Sequence, residues 1–201
     1  MNANEFERNT VLALTRVVED AAIAKDAEDA LWAVTRTVPS LMGDSNAADS
    51  AGNLADGATA QRAAVAFMKT PDGQHHVNTA PVNFLPEQYH ELIPIDLGHP
   101  GHVAQTRRAI LLRDTSHHDS FVKILQTFRA GSAMQVPMLW KDDYIGVLIC
   151  ASSVRNSFSE IDLEAMRAFA GLAAALWIAH DGPGWLTSLD YKALPRRTQG
   201  G

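Results

Sequence analysis

Two histidines three residues apart, His99 and His102, and a second group formed by Asp114, His117 and His118 bring imidazole and carboxylate donors into one twenty-residue stretch. The i,i+3 spacing suits one side of a helix, and such donors are those that hold iron or zinc. No third ligand recurs at an established metal-site spacing. Histidines that hydrogen-bond loop backbone or face water therefore account for the pattern more economically than a metal does.

The remaining chemistry is sparse. Cys150 is the single cysteine, which excludes an intramolecular disulfide, a CxxC redox pair and every cysteine-rich zinc site, and it suits a reducing, cytoplasmic setting. It lies in an apolar run, Ile145 to Ala151, where a thiol behaves as a small hydrophobe. The chain contains no Gly-x-Ser-x-Gly elbow, no phosphate-binding Gly-x-x-x-x-Gly-Lys loop and no Gly-x-Gly-x-x-Gly fingerprint. Gly98 to His102 can present backbone N–H groups at a helix start. Arg107, Arg108 and Arg113 follow closely enough to neutralise an anion there, although solvent-facing arginines explain them as well.

An apolar pocket with few polar anchors could draw on Phe84, Phe121, Phe128, Met134 and Met138, residues that are more often plain core. Between Ser132 and Met138, alternation puts Ser132, Met134, Val136 and Met138 on one face of a strand and Ala133, Gln135 and Pro137 on the other. Sequence alone leaves open which face meets a pocket.

The elements that position these residues follow from periodicity. Helical spacing runs from Glu5 to about Ala24, and a second helix begins at the cap Asp26 and ends around Pro39 to Gly43. Residues 43–61 hold one large apolar side chain, Leu54, and read as a mobile loop or hinge. A hairpin is expected from Ala63 to Thr79 around Pro71-Asp72-Gly73. An irregular stretch from Pro81 to Pro94 follows, with a possible helical turn at Glu87 to Leu92. A short helix from Gly98 to Arg107 comes next, then a short strand from Ala109 to Leu112. A helix is expected from Ser120 to Arg129. Strands from Ser132 to Leu139 and Tyr144 to Ser152 pair across a short turn, and a helix capped by Ser159 closes the domain at Gly182-Pro183-Gly184. The tail beyond reads as loosely held, with Trp185, Leu186 and Leu189 as side chains able to dock. The expected organisation is thus an N-terminal helix over 1–25, a domain over 26–181 and a tail over 182–201.

The 201 residues allow one compact domain, and ordinary globular composition, 46% hydrophobic and 20% charged, supports a buried core. The net charge of −6 offers no global positive field for a phosphate backbone, so nucleic acid is not an expected partner. The acidity is concentrated in residues 1–60, with ten acidic against four basic side chains. Neither a signal peptide nor a membrane span is expected.

The order and spacing of several short motifs resemble the GAF domain. They are Gly98-His-Pro-Gly101 through Arg113-Asp114, Phe121, Ser132 to Met138, Ile145 to Ile149, and Phe158-Ser159 before a closing helix. The resemblance spans about Asp26 to His180. It implies an α+β fold: an antiparallel sheet of five or six strands, the terminal helices on one face, and short helices and loops over a small-molecule pocket on the other. It places His99, His102, His117 and His118 in segments that border that pocket, and with them Phe84, Asp114, Phe121, Ser132 and Met134 are the expected ligand-binding residues.

The expected function is a stand-alone, non-enzymatic sensing module that is homodimeric and signals through its terminal helices, to a dimer mate or to a kinase or transcription regulator. Two alternatives are a metal- or haem-binding sensor or metal-dependent enzyme built on the histidines, and a ligand-free interaction scaffold. The cysteine needed for covalent bilin attachment, the several cysteines of the family's methionine sulfoxide reductases and the Asn-Lys-x-x-x-Phe pattern of its cyclic-nucleotide binders are all absent.

Overall fold

The structure is a computed structural model that describes residues 3–116 and 122–197. Alternation of side chains along the strands builds one six-stranded sheet. In chain order the strands are β1 (Arg62–Lys69), β2 (His75–Val82), β3 (Leu92–Pro94), β4 (Ile110–Leu112), β5 (Ser132–Trp140) and β6 (Asp143–Ser152). In space they run β3-β2-β1-β6-β5-β4, every neighbour antiparallel. The fold is α+β, as the spacing of hairpins and helices predicts.

Two sides of this sheet bury different things. Ala64, Ala66 and Met68 of β1, Met134, Val136 and Met138 of β5, and Leu148 and Cys150 of β6 face a helical layer and form its core with Phe169, Met166 and Trp177. The layer comprises α1 (Ala3–Ala21), α2 (Ala27–Leu41) and α4 (Glu160–Ala179). Burying a side chain such as Phe169 completely contributes about 2–3 kcal/mol relative to exposure. The opposite side carries Ala63, Val65, Phe67, Ala133, Val147 and Ala151, covered by α3 (Gly98–Thr106) and by loops.

The caps sit where the sequence puts them. Asp26 accepts from the Asp29 N–H at 2.8 Å, and Ser159 and Asp162 cap α4 reciprocally. Asp162 also accepts the Gly43 N–H at 2.8 Å, so one carboxylate joins the start of α4 to the end of α2. Gly43 itself has φ +88°, the left-handed geometry that lets the chain leave α2 there.

Five expectations change. The stretch from Pro81 to Pro94 is not wholly irregular: its end, Leu92–Pro94, is edge strand β3 paired with β2, and its helical turn is a 3-10 turn at Pro86–Gln88. Residues 122–130 are not helical. Their backbone is held instead by side chains: the Gln88 amide donates to the Ile124 carbonyl at 2.7 Å and accepts from the Gln126 N–H at 3.3 Å, while burial of Leu125 and Phe128 anchors the segment. Gly182-Pro183-Gly184 begins a helix, α5 (Gly182–Ser188), with Asp181 as its cap, because proline is well placed in a first turn. The tail is docked through Arg197. Leu186 is buried, Trp185 meets Trp177 edge-on at 5.7 Å, and the Leu92 N–H donates to Pro195 while Arg197 N–H donates back to Leu92. Residues 43–61 are irregular, with one 3-10 turn at Ala47–Asp49, but they are tied down by the Asp44 N–H to Ser157 carbonyl and Arg155 N–H to Asn53 carbonyl bonds.

Candidate functional site

Three alanines make the site possible. Ala63, Ala151 and Ala133 stand side by side across β1, β6 and β5, so the outer face of the sheet is low along that row. In the next row Val65, Ile149 and Gln135 are neighbours. Above this floor is a cavity of about 440 Å³, within the range that takes small organic ligands. Phe84 and the first turn of α3 form one wall, Thr115 and Ser116 another, and Val122 to Leu125 with Arg129 and Ala130 the cover.

The floor has one polar anchor. Gln135 is 4% exposed, lines the cavity, and its buried Oε1 has no hydrogen-bond partner among the described residues. Buried polar groups are nearly always paired, since an unpaired one costs about 1–3 kcal/mol. Among the described residues nothing offsets that cost for Gln135.

The α3 wall depends on close backbone contact. Gly98 adopts φ +56°, and a Cβ on Gly101 would lie 2.2 Å from the Asp96 carbonyl carbon. The chain can therefore enter the helix tightly against 96–97, placing His99 and Pro100 at the cavity. The cover is fastened from three sides. Gln88 holds Ile124 and Gln126, the Thr127 hydroxyl donates to Asn83 at 2.7 Å, and Arg197 donates to the Lys123 carbonyl at 3.0 Å while pairing with both oxygens of Glu91 at 3.1 and 3.0 Å.

Phe84 and His99 line the cavity. His102, one turn further along α3, is exposed. Asp114 borders the lining but is engaged by the Ser116 N–H and hydroxyl at 2.8 and 2.6 Å, and faces Arg155 at 3.5 Å. Ser132 and Met134 are corrections: both point to the helical side of the sheet. There Met134 is core and the Ser132 hydroxyl donates to the Val154 carbonyl at 2.7 Å. The face of β5 that meets the cavity is that of Ala133 and Gln135. His117, His118 and Phe121 lie outside the described residues. Among the described residues no three His, Cys, Asp or Glu side chains converge as metal ligands.

Gln135 and the alanine row were the residues to find. The signal for Gln135 is a lone amide in an otherwise apolar central strand; the signal for the row is visible only once register is known.

Other buried polar groups lie on the same side of the sheet, beyond the cavity lining. His76 is fully buried and its Nε2 is 2.7 Å from the Tyr144 hydroxyl. Burial pushes its pKa down to about 3, with a further lowering from nearby His75, and burial raises that of Tyr144. Asn78, two residues on, is also fully buried, with neither side-chain amide atom paired among the described residues. Cys150 faces the helices, and burial pushes its thiol up to about 12, so it is an inert core residue.

Comparison with known proteins gives a consistent picture. The family model described as GAF domain matches residues 46–177. No curated protein matches the chain in sequence. Among solved structures, the GAF domain of a phosphoenolpyruvate-protein phosphotransferase from Acinetobacter is 17% identical with a TM-score of 0.67, covering 90% of this chain and 96% of that one. The corresponding domain from Coxiella burnetii is 15% identical with a TM-score of 0.70, covering 89% and 98%. A free methionine-R-sulfoxide reductase from Neisseria meningitidis, in complex with its substrate, is 15% identical with a TM-score of 0.66, covering 87% and 93%. At these identities the likeness is one of fold.

Proposed function

The chain belongs to the GAF domain family, and from that premise we propose that it is a regulatory module that binds a small molecule in the cavity over β1, β6 and β5. One observation carries the reading: a cavity of about 440 Å³ stands open over the row Ala63, Ala151 and Ala133, with the Gln135 side chain in its otherwise apolar floor. A scaffold whose pocket had closed would fill this space with side chains, whereas the alanine row keeps it open.

Binding reaches the terminal elements through the cover. A ligand that orders residues 122–130 also orders what Gln88 and Arg197 hold, and Arg197 belongs to the tail packed on β3. The signal is the difference in ligand affinity between the docked and undocked tail. Output passes through the helical layer to a second copy or another protein. Helix α1 leaves Val11, Leu12 and Val18 exposed for such a contact.

The reading is regulatory rather than enzymatic. Thiol chemistry like that of a methionine sulfoxide reductase needs a nucleophile and a resolving partner, and the one cysteine is buried on the far side of the sheet.

Native mass spectrometry of the untagged protein, with absorption and metal analysis of the same sample, tests the proposal. It predicts a dimer mass, and a stoichiometric small molecule that is lost in Ala133→Phe and in the gentler block Ala151→Leu. A small molecule retained equally by both blocked variants, or a protein that takes up nothing from a metabolite extract, contradicts it.

A further inference from the structure

We propose that the cavity selects organic anions: molecules with an apolar body and a carboxylate or comparable anionic head. The inference deepens the binding reading above and rests on it.

The body is set by the floor and walls. Ala133, Ile149, Phe67, Phe84 and Leu125 offer only apolar surface, so a ligand that is polar throughout would lose its hydration without replacement. Gln135 supplies one fixed hydrogen-bonding point, suited to a hydroxyl, amide or ring N–H on that body.

The head is set by charge. The formal charges among the described lining residues are Lys123 and Arg129, both on the cover, and no described carboxylate lines the cavity. This is the reverse of the chain as a whole, whose net charge is −6. The carboxylate adjoining the lining, Asp114, has its own cation, Arg155, at 3.5 Å. The first turn of α3 adds to the same field. The helix starts at Gly98 after Leu97, which offers no side-chain cap, and its positive end, at His99 and Pro100, borders the cavity. Thr115 and Ser116 also line the cavity, their hydroxyls donating to the Ala130 carbonyl and to Asp114. Two cations and a helix N-terminus thus border the cavity, and no described carboxylate lines it.

The test fixes the body and varies the head. Naphthalene-2-acetate, its primary amide and 2-(naphthalen-2-yl)ethylamine are titrated into the full chain by calorimetry. The acid is expected to bind about tenfold more tightly than the amide, the difference a charge-assisted hydrogen bond supplies, with the amine weakest. In Lys123→Gln/Arg129→Gln the acid-to-amide ratio collapses towards one, while circular dichroism and the melting curve report that the variant is folded. Ala151→Leu abolishes acid binding. An amide or amine that binds as tightly as the acid, or acid binding that survives Ala151→Leu, overturns the anion proposal and leaves the broader reading standing. Failure of all three compounds also overturns it, and the native mass spectrum then decides separately whether the cavity binds anything.

Discussion

Replacing Gln135 with leucine should make the protein more stable and less able to bind. Gln135 is 4% exposed and its Oε1 is buried without a described partner, so the folded state carries the desolvation cost of that group. Leucine is of similar size, and Ile149 on β6 is its neighbour, so the replacement removes the cost without overfilling the floor. An unpaired buried acceptor costs about 1–3 kcal/mol. At the lower end of that range, a gain of about 1 kcal/mol corresponds to about 2–4 °C in melting temperature for a domain of this size. The assay is paired thermal and urea unfolding of wild type and Gln135→Leu, with native mass spectrometry for retained small molecule. A loss of stability of about 1 kcal/mol or more would mean the amide is satisfied in the protein alone, and the argument that it awaits a ligand would fail.

Other consequences follow from groups outside the cavity. Glu28 is buried and accepts from the Ala80 N–H at 3.1 Å and the Tyr89 hydroxyl at 2.8 Å, with His90 Nε2 3.0 Å away. Glu28→Ala should therefore cost about 3 kcal/mol in urea unfolding, and a cost below about 1 kcal/mol refutes the cluster as an anchor. His76 binds fewer protons folded than unfolded between its folded value of about 3 and its ordinary value of 6.5, so its contribution to stability rises with pH through that window and is level above it. His76→Gln should flatten this acid limb, and an unchanged limb between pH 4 and 6 (roughly the middle of the window) would show that the ring titrates normally. Cys150 should resist alkylation in the folded protein at neutral pH and react on unfolding; rapid native modification contradicts its placement. A Cβ on Gly182 would lie 2.1 Å from the Trp177 ring. Gly182→Ala should therefore loosen α5 and expose the Arg197 clasp to hydrogen exchange, and unchanged protection would refute the docked tail.

The fold was legible where patterns are local. Alternation in Ser132 to Leu139 and Tyr144 to Ser152, the caps Asp26 and Ser159, and the turn at Pro71-Asp72-Gly73 each specify their element within a few residues, and all are observed. What failed depends on distant partners. Val122 to Arg129 carries helical spacing, but the Gln88 side chain takes its backbone groups, and nothing near 122 announces a glutamine at 88. The tail carries apolar side chains, Trp185, Leu186, Leu189, Tyr191 and Leu194, that pack on the helical core, but the surfaces that receive it, Trp177 and Leu92 among them, are assembled only by the fold.

The site was half legible for the same reason. Phe84 and His99 adjoin recognisable turns, so their place at the cavity follows from the resemblance. Ser132 and Met134 fall on the other face because the phase of β5 relative to the helices is set by the whole sheet and not by one strand. The alanine row is set by three strands in register, a property no single segment holds.

The most direct test of the account is a methyl-resolved NMR titration of the protein with a protein-free metabolite extract, before and after removal of any retained ligand. The account predicts shifts at Ala63, Ala133, Ile149 and Ala151, lost in Gln135→Leu, with Ala66, Met134 and Met138 on the helical side moving much less. Shifts confined to the helical side, or a spectrum that no extract perturbs, would contradict it.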